Sequence, residues 1–323
     1  MSKLNIIITG SSGFIGYHLA LYLLKNHKNI SIFGIDNFSS YYDVSLKRIR
    51  TKQLKIFKNF HFFKLNIINQ KSLIQKFKHF KINYVVHLAA QPGVRNSLDK
   101  PQEYFNYNIL THQNILEFCR KKKIKKFFYA SSSSIYGNSN IPFKEKKIIS
   151  RPESIYASTK LICENLSYAY SHNYKLQTIG LRFFTVYGSY GRPDMAYFDF
   201  TKKIINNKKI TLFNEGKNYR DFTYIDDLVG MFCKILFSEK HDLFDIYNLG
   251  SSNPISTINF LKILEKVIGK KALIKKSKSF KGDVYKTKAD MNKFISKFGI
   301  PKKTKLEDGL IKFYDWYRKE YIK

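Results

Sequence analysis

The chain has 323 residues, of which 44% are hydrophobic and 16% aromatic, with only 7 Pro and 16 Gly, a composition that excludes a disordered, collagenous or low-complexity protein. A formal net charge of +33 raises the question of a polyanionic partner, yet only nine of the 57 basic residues are arginine and Ile, Asn, Phe and Tyr are plentiful throughout. That pattern reads as compositional drift, so no nucleic-acid partner and no membrane surface is expected.

Three scattered cysteines, Cys119, Cys163 and Cys233, form no Cys-x-x-Cys pair, which points to inert thiols in a reducing compartment and to no metal site. The apolar run Leu4–Thr9 is too short for a signal segment, and no stretch approaches the ~20 apolar residues of a membrane span. A cytoplasmic protein is expected.

Along the chain, Leu4–Thr9, Ile30–Asp36, Phe60–Leu65, Tyr84–Ala89, Lys126–Ser131 and Leu176–Phe183 read as short strands alternating with helix-length segments. Ile15, Leu19, Tyr22 and Leu23 recur at helical spacing and predict a helix over Phe14–Asn26. The alternation predicts an α/β fold, a Rossmann-type doubly wound parallel sheet. We place this cofactor domain at residues 1–184, rejoined by about 221–250, and a smaller C-terminal α/β substrate domain mainly at 185–323, with helices near Ser256–Ile268 and Leu306–Tyr321. The basic run Arg120–Lys126 reads as a solvated helix end.

Gly10-Ser11-Ser12-Gly13-Phe14-Ile15-Gly16 opens the first helix directly after the first strand. Gly10 permits a tight turn, Gly13 lets backbone approach a pyrophosphate, and Gly16 allows close helix–strand packing, while the helix N-terminus offers free N–H groups to the anion. Asp36 ends the second strand twenty residues after Gly16, where a carboxylate can accept both ribose hydroxyls of NAD. The same carboxylate would repel a 2′-phosphate, and Asn37-Phe38-Ser39 supplies no Arg to bind one, so NAD is favoured over NADP.

Tyr156-Ala157-Ser158-Thr159-Lys160 sets a phenol and an ammonium on one helix face. A phenol titrates near ~10 in water and needs positive charge to serve as a base at neutral pH. Taken alone the pair arises readily by chance in a chain with 23 Tyr. Its context is the segment Ser131-Ser132-Ser133-Ser134-Ile135-Tyr136-Gly137, at the C-terminal end of a predicted parallel strand, where such sheets place their sites.

The Gly-x-x-Gly-x-x-Gly spacing, His87-Leu88-Ala89-Ala90 and Tyr-x-x-x-Lys together resemble the extended short-chain dehydrogenase/reductases of the NAD-dependent epimerase/dehydratase type. Tyr41-Tyr42-Asp43-Val44-Ser45, Ala90-Gln91-Pro92-Gly93-Val94-Arg95, Arg182-Phe183-Phe184-Thr185-Val186-Tyr187-Gly188 and Gly191-Arg192-Pro193-Asp194-Met195 narrow the likeness to the UDP-glucuronate 4-epimerases, from about Asn5 to Tyr317. The resemblance implies a Ser132–Tyr156–Lys160 catalytic triad. It implies cofactor contacts from Gly10, Gly13, Phe14, Ile15, Gly16, Asp36, Asn37, Asn66, Ile67, Leu88, Ala89, Ala90, Tyr156 and Lys160. It also implies a UDP-sugar substrate held by Arg95, Ser132, Ser133, Ser134, Tyr156, Thr185, Arg192, Arg220 and Asp283. Asn66 stands where the family usually has Asp, Pro92 where these enzymes usually have Ala, and Lys281 where Pro precedes Gly282-Asp283-Val284.

Ser133-Ser134 stands where related dehydratases have an acidic pair and where related decarboxylases have Glu at the second position, so two hydroxyls there disfavour elimination and decarboxylation and suit a carboxylated sugar. The implied reaction is 4-epimerisation of UDP-glucuronate to UDP-galacturonate through a transient 4-keto sugar. Alternatives are a 4-epimerase of another UDP-hexose or UDP-N-acetylhexosamine, or a sugar-nucleotide dehydratase or decarboxylase. The resemblance further implies a homodimer through Gln102–Phe118 and Tyr156–His172.

Overall fold

The computed structural model describes residues 3–147, 151–278 and 284–322. Its main sheet has seven parallel strands. They are β1 (Leu4–Thr9), β2 (Ile30–Asp36), β3 (Phe60–Lys64), β4 (Tyr84–His87), β5 (Lys126–Ser132), β6 (Gln177–Phe183) and, after β7 (Thr185–Tyr187), β8 (Ile210–Phe213) and β9 (Tyr219–Tyr224), the edge strand β10 (Phe244–Leu249). The order β10-β6-β5-β4-β1-β2-β3 is that of a Rossmann-type sheet.

Neighbouring residues of each central strand serve opposite faces. Ile6, Ile8, Tyr84, Val86 and Phe128 belong to one buried cluster, whereas Ile7, Val85, Phe127 and Tyr129 belong to the other. Helices must therefore cover both faces, which is why these strands read as continuous apolar runs.

The chain fills one side of β1 with β2 and β3 and then crosses to β4 on the other. That reversal opens a crevice at the C-terminal strand ends, where ligands of such sheets bind. In register, Thr9 lies opposite Ile35 on one side and His87 on the other, so Gly10, Asp36 and Leu88 emerge together.

The C-terminal part builds two smaller sheets. Antiparallel β11 (Pro254–Ser256) pairs with β9, which pairs with β7, and β12 (Ile274–Ser277) lies parallel to β8. Between them the helix Ile225–Phe237 returns to the main sheet, Phe237 meeting His27 at a ring-centroid distance of 4.7 Å, and delivers the chain to β10. The Leu306 helix continues to Trp316 and ends in a π-helical turn to Tyr321.

One expectation is corrected. The basic run before β5 is not wholly solvated, because Lys126 is buried and its ammonium meets Glu239 at 2.9 Å and the Ser238 carbonyl at 2.6 Å. A lysine that opens a central strand has its stem in the sheet and must find a carboxylate at the sheet end.

Candidate active site

The helix α1 (Phe14–Asn26) begins four residues after β1, and the intervening loop turns at Gly10, whose φ is +69°. A Cβ on Gly10 would lie 2.8 Å from the Ala89 nitrogen, and one on Gly16 would lie 2.2 Å from the Gly10 carbonyl oxygen. Only glycine lets the loop lie this flat against β4 and the helix this close to the loop. Asp36, buried at the end of β2, accepts from the backbone N–H of Ser12 at 3.2 Å and of Phe38 at 2.8 Å.

These elements bound a cleft of about 250 Å³. Its lining includes Gly10 and Gly13 from the loop, Phe14, Ile15 and Gly16 from the first turn of α1, Asp36 at the end of β2 and Asn37 just beyond it, and Asn66 and Ile67 after β3. Leu88, Ala89 and Ala90 line it after β4, and Ser132, Tyr156, Lys160 and Arg192 complete the predicted set found there. A flat glycine loop at a helix N-terminus facing a carboxylate twenty residues on is the geometry a dinucleotide requires, so the residues present fit NAD.

Tyr156 sits in the first turn of the helix Ile155–Tyr174, which Ser154 caps by accepting from the Ala157 N–H at 3.1 Å. Lys160, one turn on, donates to the Ala130 carbonyl of β5 at 2.9 Å, and its nitrogen lies 6.0 Å from the Tyr156 ring centre. Farther along the helix, Glu164 accepts from Nε and Nη2 of Arg182 at 2.9 and 2.7 Å and from Ser131 at 2.5 Å, while Arg182 Nη1 donates to the Tyr136 hydroxyl at 2.7 Å. This buried network clamps the helix to β5 and β6. Arg182 therefore uses its fork on Glu164, away from the cleft.

A second, smaller cavity adjoins the first. Ser132 lines one and Ser133 the other; Phe184 lines one and Thr185 the other. Ser133, Ser134, Thr185 and Arg220 line this second cavity with Glu153, whose side chain is exposed. Ser132 Oγ accepts from the Ser134 N–H at 3.1 Å, holding the serine run in a tight turn. Arg220 donates to the Tyr219 carbonyl at 2.9 Å. Arg95 lines neither cavity, its guanidinium lying 4.1 Å from the Phe213 ring centre. Asp283 lies outside the described residues.

Arg192 donates to both carboxylate oxygens of Asp194, and Tyr41 donates to the same carboxylate at 3.1 Å. Burial works against that charge, but the Arg192 guanidinium outweighs it and holds the Asp194 carboxyl below its ordinary range.

The sequence reading missed Lys47, which lines the cleft and donates to the Ser39 carbonyl at 2.8 Å and hydroxyl at 3.0 Å. Burial lowers its pKa, and Asp36 opposes that shift. It also missed Arg50, fully buried beneath the glycine loop. Both lie on the helix α2 (Val44–Leu54), whose buried residues Leu46, Lys47, Arg50, Thr51 and Leu54 trace one face. Ile49 of the same helix is exposed while Lys47 and Arg50 are buried, so its apolar positions do not mark the inward face and the sequence held no clear signal for either residue.

Residues 6–250 match the family described as the NAD dependent epimerase/dehydratase family. A UDP-glucuronate 4-epimerase of Thermodesulfobacterium geofontis is 41% identical over 311 residues, covering 96% of this chain and 95% of the relative. The crystal structure of UDP-glucuronic acid 4-epimerase from Bacillus cereus, in complex with UDP-glucuronic acid and NAD, superposes with a TM-score of 0.92 at 36% identity, over 98% of this chain and 100% of that one. UDP-glucose 4-epimerase from Thermotoga maritima, solved with UDP-glucose, gives a TM-score of 0.86 at 29% identity, over 98% and 99%.

Proposed function

The chain belongs to the NAD-dependent epimerase/dehydratase family, and within it we propose that the protein is a UDP-glucuronate 4-epimerase. The observation that carries this reading is the junction of the two cavities. The Tyr156–Lys160 pair opens into a cleft built for a dinucleotide, and directly beside it Ser133, Ser134 and Thr185 bring hydroxyls to the second cavity, the two serines standing where a lyase of this family would need an acid.

In this reading Gly10, Gly13, Phe14, Ile15 and Gly16 hold the cofactor phosphates and Asp36 and Asn37 the adenosine ribose. Asn66 and Ile67 flank the adenine, and Leu88, Ala89 and Ala90 border the rest of the cofactor. NAD bound there supplies a reversible hydride acceptor for the sugar C4.

Tyr156 takes the C4 hydroxyl proton, and once the 4-keto sugar has turned its other face to the cofactor Tyr156 returns that proton to the C4 oxygen, so that the configuration at C4 is inverted. Lys160 places its positive charge beside the phenol, and Ser132 donates a hydrogen bond to the sugar oxygen as it becomes a carbonyl. Arg220 engages the diphosphate, for which a planar fork suits two oxygens at once, and Arg192, whose Nε and Nη2 hold Asp194, adds its positive charge beside it.

A 4-ketohexuronate is a β-keto acid and loses CO₂ when its carboxylate turns perpendicular to the carbonyl plane. Hydrogen bonds from Ser133, Ser134 and Thr185 prevent that rotation and also select a carboxylated sugar over a neutral one. The first part of the chain, rejoined at 221–250, thus serves the cofactor, and the remainder mainly serves the UDP-sugar.

The buried positions of Cys119, Cys163 and Cys233 as free thiols support a reducing, cytoplasmic setting. Among the described residues no helix is long and apolar enough to cross a membrane. Phe105, Leu110 and Tyr168 are exposed on or beside the two helical segments expected to pair, which supports a homodimer, and light scattering of the purified protein tests it.

Anomeric-proton NMR with UDP-glucuronate, UDP-glucose and UDP-N-acetylglucosamine tests the assignment. Conversion of the uronate alone supports it, and equal or better turnover of a neutral sugar refutes it.

A further inference from the structure

Arg50 lies on α2 and is completely buried, yet its hydrogen bonds all go to uncharged oxygens. One arm donates to the Ser12 carbonyl at 2.9 Å, inside the glycine loop, and to the Tyr42 hydroxyl at 2.7 Å. The other arm donates to the Tyr190 carbonyl at 2.6 Å and the Gly191 carbonyl at 2.8 Å. Its Nε is buried without a partner among the described residues. Withdrawing a cation from water without a carboxylate beside it is costly, and an apolar side chain would fill the same space without that cost.

The three carbonyl groups it grips belong to two separate segments whose neighbouring residues line the cleft. Ser12 sits between the glycines that bound the cofactor side, and its hydroxyl is also tied to Thr51 of the same helix at 2.7 Å. Gly191 immediately precedes Arg192. The turn that carries them is held in an unusual shape, with Tyr190 at a φ of +53° so that two successive carbonyls face one guanidinium arm. A Cβ on Gly191 would fall 1.8 Å from the Tyr197 hydroxyl, which also accepts from the Arg192 N–H at 3.2 Å. The turn is therefore fixed from below by Arg50 and Tyr197, and Arg192 projects from it into the cleft.

We propose that Arg50 is a positioning residue that couples the cofactor loop to the substrate-diphosphate turn. Its fork bolts Ser12 to Gly191, and its uncompensated charge lies behind both anion-binding backbones. The inference rests on the reading of the glycine loop and of Arg192 given above. Ordering of the loop by NAD fixes Arg50, which fixes the turn bearing Arg192, so NAD and the UDP moiety tighten each other's binding. Lysine keeps the charge but cannot bridge both segments with a planar fork.

Calorimetric titration of UDP into the protein, with and without saturating NAD, measures the coupling directly in the wild type, Arg50→Lys and Arg50→Gln. In the wild type NAD is expected to tighten UDP binding about fivefold or more. In Arg50→Lys, folded by circular dichroism, the factor falls below about twofold. Arg50→Gln weakens both ligands as well, because the charge is gone. A folded Arg50→Lys protein with wild-type coupling would overturn the proposal, as would absence of coupling in the wild type. Failure of both variants to fold would leave Arg50 a structural role only and overturn it equally. A wild-type protein that binds neither NAD nor UDP would instead refute the functional reading itself.

Discussion

The Lys160 ammonium is pinned by the Ala130 carbonyl at 2.9 Å and stands 6.0 Å from the centre of the Tyr156 ring, one helical turn away. A base on the first turn of a helix is thereby fixed to the sheet through its neighbour. Tyr156→Phe removes the proton acceptor and nothing else, so turnover should fall by at least about 10²-fold while UDP affinity, read by calorimetry, stays near wild type. Parallel losses of binding and turnover would place Tyr156 outside the chemical step.

Thr185 lines the second cavity with Ser133 and Ser134. Thr185→Val keeps its shape and removes the hydroxyl. A hydrogen bond to a charged group is worth enough that the ratio of decarboxylated to epimerised product should rise about tenfold or more. Quantifying both sugar products by NMR checks this, and an unchanged ratio removes Thr185 from control of the carboxylate.

Glu164 and Arg182 are nearly inaccessible and doubly hydrogen-bonded to each other. Glu164→Met strands a buried guanidinium and should destabilise the fold by about 3–5 kcal/mol. Replacing both residues by Met should cost clearly less, because no charge remains uncompensated. Urea denaturation of Glu164→Met, Arg182→Met and the double variant decides, with additive losses contradicting the interpretation.

His87 is buried and bonded to the Thr9 hydroxyl at 2.7 Å. Burial, aided by the nearby Lys160 charge, lowers its pKa from 6.5 to about 3. The folded protein therefore keeps it neutral where the unfolded chain binds a proton, so stability falls as pH drops below about 6.5, by up to about 1.4 kcal/mol per unit. His87→Asn should show a shallower loss between about pH 6.5 and about pH 4 in denaturation experiments. An equal slope would mean that this ring is protonated in the native state.

Much of this was legible in the sequence, for a physical reason. β1, β2 and α1 fall where apolar periodicity places them, and the glycine loop, Asp36 and Tyr156–Lys160 are local patterns whose spacing is itself the geometry. Contacts between distant segments were not legible. Arg50 meets Gly191 across 141 positions, and no periodicity announces that pairing. Arg182 lies inside a recognisable segment, yet its fork is spent on Glu164, which only the packing of β6 beneath the helix reveals. Lys126 likewise looked solvated until the sheet end supplied Glu239.

The central claim is inversion at C4 by transient oxidation with the hydride never exchanged with water. Incubating the protein with NAD and UDP-glucuronate in D₂O and following the sugar by proton NMR tests it most directly. UDP-galacturonate with protium retained at C4 is expected. Deuterium at C4, or no galacturonate product, would contradict it.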